Sequence, residues 1–304
     1  MQAHFYRMLI TLSKLMGKWV FTLAARVIAT GFFLFAPARV AVSVRFYRAL
    51  FPARRWRYHL WCAWKQYHSF THVFMDRIFI HDAPDFVFTN EGWEYIDDAV
   101  NNKTGGVILM SHVGNWEIAA DLLLRVHGRK NPGVKLLLYL GLKRKEQIER
   151  AQKESLARHG VKIIAVAKDG GSPFDIVAGI NFLKAGGLVS LTGDRKWRAD
   201  QRTVAVRFLG HEAFLPETPF IFALLSGAPL FIFFAFQTDR LAFHFKNFPP
   251  VYIRAQNRKE RLNVVRKAAQ AYAELLEEEV RRHPFEWYHF EPFIGRKLDE
   301  GLCE

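Results

Sequence analysis

The stretch Gly105-Gly-Val-Ile-Leu-Met-Ser-His-Val-Gly-Asn-Trp-Glu117 decides how the rest of the chain is read. Two glycines open it, residues 107–110 form an unbroken apolar run, and residues 115–126 turn amphipathic at helical spacing. A short apolar run bounded by glycines and followed by a helix is a strand buried on both faces, the unit from which parallel sheets are built. Moving outward, the same alternation repeats. Apolar runs stand at 134–140, 161–166, 188–192, 204–209 and 230–236, with one more at 241–245; helical patterns stand at 145–159, 173–184, 216–225 and 259–282. Gly170-Gly171, Gly186-Gly187, Pro216 and Pro249-Pro250 punctuate them as turns. The expectation is an α/β domain with a mostly parallel central sheet flanked by helices. No internal repeat and no linker divides it.

Composition bounds the class. At 304 residues, 50% hydrophobic, 15% aromatic and 24% charged, the chain is an ordered protein with a large core, which excludes disordered, collagenous and disulfide-stapled classes. Two cysteines, Cys62 and Cys303, have no framework spacing and suit a reduced compartment. The net charge of +14 is unevenly placed: eleven basic residues and no acidic one precede Asp76, which leaves only +3 for the other 229 residues. Residues 1–75 therefore read as a basic, aromatic anchoring segment, and 76–304 as the α/β domain.

Such a segment meets either nucleic-acid phosphates or anionic lipid. Residues 19–38 decide for lipid, since a single charge, Arg26, interrupts twenty residues. A helix of that length matches a hydrocarbon core of about 30 Å. Arg26 would cost roughly 2.5–3.5 kcal/mol at mid-bilayer unless it snorkels, and basic residues flank both ends. The expectation is one hydrophobic anchor helix, inserted or spanning, beside basic interfacial helices, of which 53–74 is one. Two alternatives stand: a buried core helix, and a secretory signal ending at Ala36-Pro37-Ala38, which a mature N-terminus at Arg39 would reveal. No nucleic-acid partner is expected.

Chemistry in an α/β sheet gathers where strands end. The strand at 107–110 ends in Ser111-His112-Val113-Gly114-Asn115-Trp116-Glu117. On one helix His112 and Glu117 would stand about 140° apart, so they meet only if His112 lies in the turn. Gly114 lets the chain fold back, and Asn115 suits a helix N-cap. Glu117 in the first helical turn then accepts the Nδ1–H of His112 and leaves Nε2 as a general base. The spacing alone carries nothing: His112 is the only one of twelve histidines with an acidic residue five positions on, and chance predicts about one such match. A structural histidine at a helix start is the competing reading. Nucleophile elbows, zinc-protease helices, redox cysteine pairs and phosphate loops are absent from the sequence. A base without an enzyme nucleophile points to direct transfer onto a substrate hydroxyl or amine.

These residues resemble a known family. Ser-His112-x-Gly-Asn-Trp-Glu117 is similar to the H-x4-D/E motif of the bacterial lipid A biosynthesis acyltransferases, within the wider lysophospholipid acyltransferase group. The resemblance extends to Leu191-Thr-Gly-Asp194-Arg195, to Phe208-Leu-Gly-His-Glu-Ala-Phe-Leu-Pro216-Glu-Thr-Pro219, and to Trp287-x-His289. It implies transfer of a fatty acyl group from an acyl carrier protein or coenzyme A thioester to a hydroxyl or amine of a lipid or glycolipid, at the cytoplasmic face of a bacterial inner membrane. The thioester is a co-substrate, and no cofactor or metal is implied. His112 would be the base, Glu117 its orienting carboxylate, and Asn115, Arg144, Asp194, Arg195 and Lys196 substrate-binding residues, the basic ones meeting phosphate. Backbone amides near Gly114 or another helix start are expected to hold the oxyanion. The C-terminal Phe285-Glu-Trp-Tyr-His-Phe-Glu-Pro-Phe-Ile294 departs from the basic ending of lipid A members and resembles the branch associated with other glycolipids, aryl polyene-type lipids or amino-acid lipids. Trp287, Tyr288, Phe290 and Phe293 read as core packing or interface anchors. Aminoacyl transfer by the same pair, and a non-enzymatic membrane-surface protein, are the alternative readings.

Overall fold

The apolar run at 107–110 belongs to a nine-residue strand in the computed structural model, Gly106–Gly114, so His112 lies within the strand and not in a turn after it. The structure describes residues 11, 13, 15–79, 87–116, 135–141, 162–166, 173–196, 200–239 and 242–298. The helix expected at 115–126, apart from Asn115 and Trp116, and the helix expected at 145–159 lie outside these residues, as do Glu117, Arg144 and Cys303.

In chain order the elements are α1 (Lys18–Phe35), α2 (Pro37–Leu50), α3 (Trp56–Phe79), β1 (Val87–Glu91), α4 (Trp93–Asn101) and β2 (Gly106–Gly114). Then come β3 (Leu136–Gly141), β4 (Lys162–Val166), α5 (Pro173–Lys184), β5 (Leu188–Thr192) and the pair β6 (Thr203–Phe208) and β7 (His211–Pro216). The chain continues through α6 (Thr218–Ser226), β8 (Leu230–Asp239), β9 (Ala242–Asn247) and α7 (Arg261–Arg282). Seven strands form one sheet in the order β1-β9-β8-β2-β5-β3-β4, parallel throughout except where β8 meets β9. β2 is central, and consecutive side chains feed opposite cores. Val107, Leu109 and Val113 join Trp287 and the α7 face around Tyr272 and Leu276, whereas Ile108 joins Trp93, Phe233 and Phe245 under α4. Burial on both faces explains why these strands read as apolar runs without alternation.

Two expectations change. The run at 204–209 is not part of the main sheet. It forms a separate antiparallel hairpin, β6–β7, turning through Leu209 (φ 51°) and Gly210 (φ 71°), and Gln270 of α7 accepts the Arg207 amide (2.8 Å). Two consecutive left-handed residues suit a tight hairpin. The single anchor helix is also replaced. α1 stops at Phe35, and Pro37, which suits the first turn of a helix but cannot extend one, starts α2 at a bend of 91°. Among the described residues no single helix is long and apolar enough to cross a membrane, although the bent pair meets that length and composition together.

α2 and α3 are tied into the body. Phe46, Tyr47 and Leu50 of α2 and Cys62 and Ala63 of α3 belong to the main core, and Gln66 of α3 donates to the Trp287 carbonyl (2.5 Å). Burial pushes the Cys62 thiol up to about 11, which makes it an unreactive packing residue. α1 differs. It packs on α3 through contacts such as Phe33 against Trp64 (5.2 Å between ring centres), and its other face leaves Trp19, Leu23, Val27, Ile28, Phe32, Leu34 and Phe35 exposed.

Candidate active site

The end of β2 is shaped by two glycines. At Gly114 the backbone is left-handed (φ 70°), and a side-chain carbon there would lie 2.0 Å from the Ala235 carbonyl of β8. Only glycine fits. The register between β2 and β8 shifts over Met110 to Gly114, which turns the strand end away from simple pairing. Gly193 follows β5 and donates to the Met110 carbonyl (2.7 Å), with no room for a side chain against Leu109 and Tyr272. This close approach places Asp194 beside His112.

The resulting contact is the centre of the site. His112 Nδ1 stands 2.8 Å from Asp194 Oδ1, and the His112 backbone amide donates to Asp194 Oδ2 (2.8 Å). The indole Nε1–H of Trp287 donates to the same Oδ2 (2.9 Å). Asp194 is 1% exposed, so its carboxylate is saturated by the protein's own donors. Burial alone would raise its pKa, but the adjacent His112 charge, the hydrogen bonds from His112 and the His289 ring outweigh that and hold the group below the ordinary carboxylate range. A carboxylate facing Nδ1 fixes the tautomer with Nδ1–H, which leaves Nε2 as the unprotonated nitrogen.

The C-terminal segment closes this arrangement from above. Val113 and Trp287 form an antiparallel bridge, Tyr288 N donates to His112 O (2.8 Å), and Gly114 N donates to Glu286 O (2.9 Å). His289 is buried with Nε2 2.9 Å from the Asp194 carbonyl, and burial lowers its pKa. Trp287 and His289 thus hold Asp194 by side chain and by backbone. Trp116 lies against the His112 ring (4.6 Å between centres).

The residues expected at the site fare differently. His112 and Asp194 come together. The Nδ1 position expected for Glu117 is taken by Asp194, and Glu117 and Arg144 lie outside the described residues. Asp194, expected to contact substrate, is turned inward. Asn115 follows β2 directly, and its side chain makes no capping bond among the described residues; Nδ2 donates to Asp76 Oδ2 (2.9 Å). Arg195 is engaged by Glu291 (2.6 Å), whereas Lys196 is exposed. The amides near Gly114 are also committed, Gly114 to Glu286 and Asn115 to Ala235 (2.6 Å), so neither is open to an oxyanion. Trp287, expected as core packing or an interface anchor, is in addition a hydrogen-bond donor to Asp194, and its place two residues before His289 in a matching motif marked it.

A buried carboxylate, an oriented histidine and a W-x-H segment locked over them repeat the order of the sequence motifs. The sequence profile of the family described as bacterial lipid A biosynthesis acyltransferase matches residues 66–293, three quarters of the chain. This chain belongs to that family. No curated protein matches it individually. As a lipid A biosynthesis acyltransferase family member it is an acyltransferase by class, with an acyl donor and a lipid acceptor implied. Its match begins within α3, and His112, Asp194 and Trp287 all fall inside it.

Proposed function

We propose that the protein transfers a fatty acyl group from an acyl carrier protein or coenzyme A thioester to a hydroxyl or amine of a lipid or glycolipid, with His112 as general base. The 2.8 Å contact between His112 Nδ1 and the buried Asp194 carboxylate supports this most directly. Nε2 removes the acceptor proton as the nucleophile attacks the thioester carbonyl, and Asp194 stabilises the imidazolium that forms. The thiolate of the carrier leaves and takes up that proton, so the base is restored. No cofactor beyond the thioester is needed, because a thioester is already activated toward attack. Glu117 completes the H-x4-E motif as a second carboxylate of the transfer. Lys196 and Arg144 supply positive charge to the phosphate of the carrier arm or acceptor.

The exposed apolar face of α1 supports docking at the cytoplasmic surface of the bacterial inner membrane. Eleven basic residues before Asp76 add attraction to anionic lipid. The test is transfer from acyl carrier protein thioester to total bacterial membrane lipid, followed by mass spectrometry of the product. The reading expects a product that depends on His112, with the rate falling by roughly 10² or more in His112→Ala. Near wild-type turnover in that variant rejects His112 as base, and no product with either thioester rejects the donor class.

A further inference from the structure

Arg26 is the one charge in residues 19–38, and the transfer chemistry leaves it without a task. Its position in the fold suggests one. A cavity of about 750 Å³ lies between α1, α3 and the end of β2, and its lining includes Gly114 and Asn115, two and three residues beyond His112. α1 faces it with Trp19, Leu23 and Arg26, whose i, i+4, i+7 spacing puts them on one side of the helix. Trp19 and Leu23 also belong to the exposed apolar face of α1, so the cavity wall and that face are continuous along one helix.

The charged groups of the lining differ in whether the protein meets them. Asp76 accepts from Asn115 Nδ2 (2.9 Å) and Gln237 Nε2 (3.3 Å), Glu286 stands 3.5 Å from His283 Nδ1, and Asp239 is engaged within the protein. Arg26 is exposed, and among the described residues its guanidinium forms no ion pair and no hydrogen bond. Its charge nevertheless reaches the facing helix. Desolvation and, after it, the Arg26 charge hold His68 and His72 of α3 below the ordinary imidazole range, with Glu286 a smaller opposing influence at His72. An unmet cation therefore stands beside neutral imidazoles, at the edge of an apolar face. Placed against lipid, such a guanidinium lacks a counter-charge unless the lipid supplies it. The fork also discriminates, since an oxyanion gains two parallel N–H···O bonds and opposite charge, a hydroxyl gains neither, and an ammonium is repelled.

We infer that this cavity takes an amphiphile with an anionic head group, its oxyanion on Arg26 and its hydrocarbon along Trp19 and Leu23. The inference rests on the acyl-transfer reading, in which this amphiphile is the lipid acceptor arriving beside His112 from the membrane side, and it assigns Arg26 as the residue that selects the head.

The test compares octyl phosphate, octanol, octylammonium and inorganic phosphate by titration calorimetry on the full-length protein, below micelle-forming concentrations. Octyl phosphate is expected to saturate one site roughly tenfold or more tighter than each of the other three, and Arg26→Gln to remove about that tenfold. Arg55→Gln takes the same charge from an exposed position outside the lining and is expected to leave binding in place. Equal losses in Arg26→Gln and Arg55→Gln overturn the inference, because net charge alone would explain them. Octanol or octylammonium binding as tightly as octyl phosphate overturns the anionic head, and inorganic phosphate doing so overturns the hydrocarbon wall. Arg26→Lys keeps the charge without the fork and is expected to fall between the wild type and Arg26→Gln. His112→Ala is expected to bind octyl phosphate as the wild type does. Arg26-dependent binding without His112-dependent transfer would therefore break the proposed function alone, and transfer without Arg26-dependent binding would break this inference alone.

Discussion

The helix α1 and the strand β2 are both apolar, and they put that property to opposite uses. β2 spends its side chains on its own protein: Val107, Leu109 and Val113 are at most 1% exposed, and its polar members Ser111 and His112 are enclosed with them. α1 leaves seven large apolar side chains in the open, from Trp19 to Phe35. Hydrophobicity in the first case specifies a fold, and in the second it specifies surroundings. The division also separates precision from attachment. Groups that must hold a histidine to within tenths of an ångström sit where packing is dense, and the groups on α1 need only present area.

The sharpest way to break the comparison is to strike the enclosed side. Asp194→Asn keeps the volume but allows the wrong tautomer of His112, and the turnover rate is expected to fall by about 10²–10⁴. A purely structural Asp194 would instead lower the amount of folded protein and leave the turnover of each remaining folded molecule in place. Turnover per folded molecule of purified variant distinguishes the two, since loss of the carboxylate removes its support for the imidazolium and lowers the rate of every folded molecule. Striking the open side should do the converse. Leu23→Glu combined with Val27→Glu is expected to weaken flotation with anionic vesicles by about tenfold or more while the melting temperature stays within a few degrees. A large fall in melting temperature would show that α1 is core after all.

Smaller effects test how tightly the enclosed side is built. Trp287→Phe retains most of the ring but removes the donor to Asp194 Oδ2, and unfolding in urea should register a loss of about 1–3 kcal/mol. The smallest effect concerns pH. Burial lowers the pKa of His289 in the folded protein, so the unfolded chain binds more protons just below its ordinary value of about 6.5. Stability is then full above that value and is lost as pH falls toward the lowered folded value. Asp194, also lowered, adds a loss only below about 4, where its unfolded form takes up protons. The urea midpoint is expected to drop between pH 7 and 5, and to drop less in His289→Gln.

Much of this was legible in the residue order. The segments 173–184 and 188–192 coincide with α5 and β5, because Pro173 and Gly186-Gly187 bound them on either side. The apolar run ends four residues short of the far end of β2, since Ser111 and His112 break a pattern that the backbone continues through. β1 went unread: Val87–Glu91 is an edge strand with four of five residues exposed, so it carries no buried pattern to detect. Counting apolar residues over 19–38 obscured the break that Pro37 was already marking. His112 was found because glycine and a strand end surround it. Its partner was not, because Asp194 lies 82 residues away and only sheet order places β5 beside β2. The hairpin β6–β7 fails for the same reason, since periodicity reports a strand and not its neighbour.

Asp194 lies 82 residues after His112, and Trp287 a further 93 after Asp194. A ribosome therefore releases the histidine first, its carboxylate next, and the segment that locks both last of the three. Until residues 286–289 dock, the carbonyl of His112, the amide of Gly114 and one oxygen of Asp194 all lack the partners they have in the finished protein. Docking of that segment is also the step that arms the site, so a chain interrupted before it carries the histidine without the means to hold it.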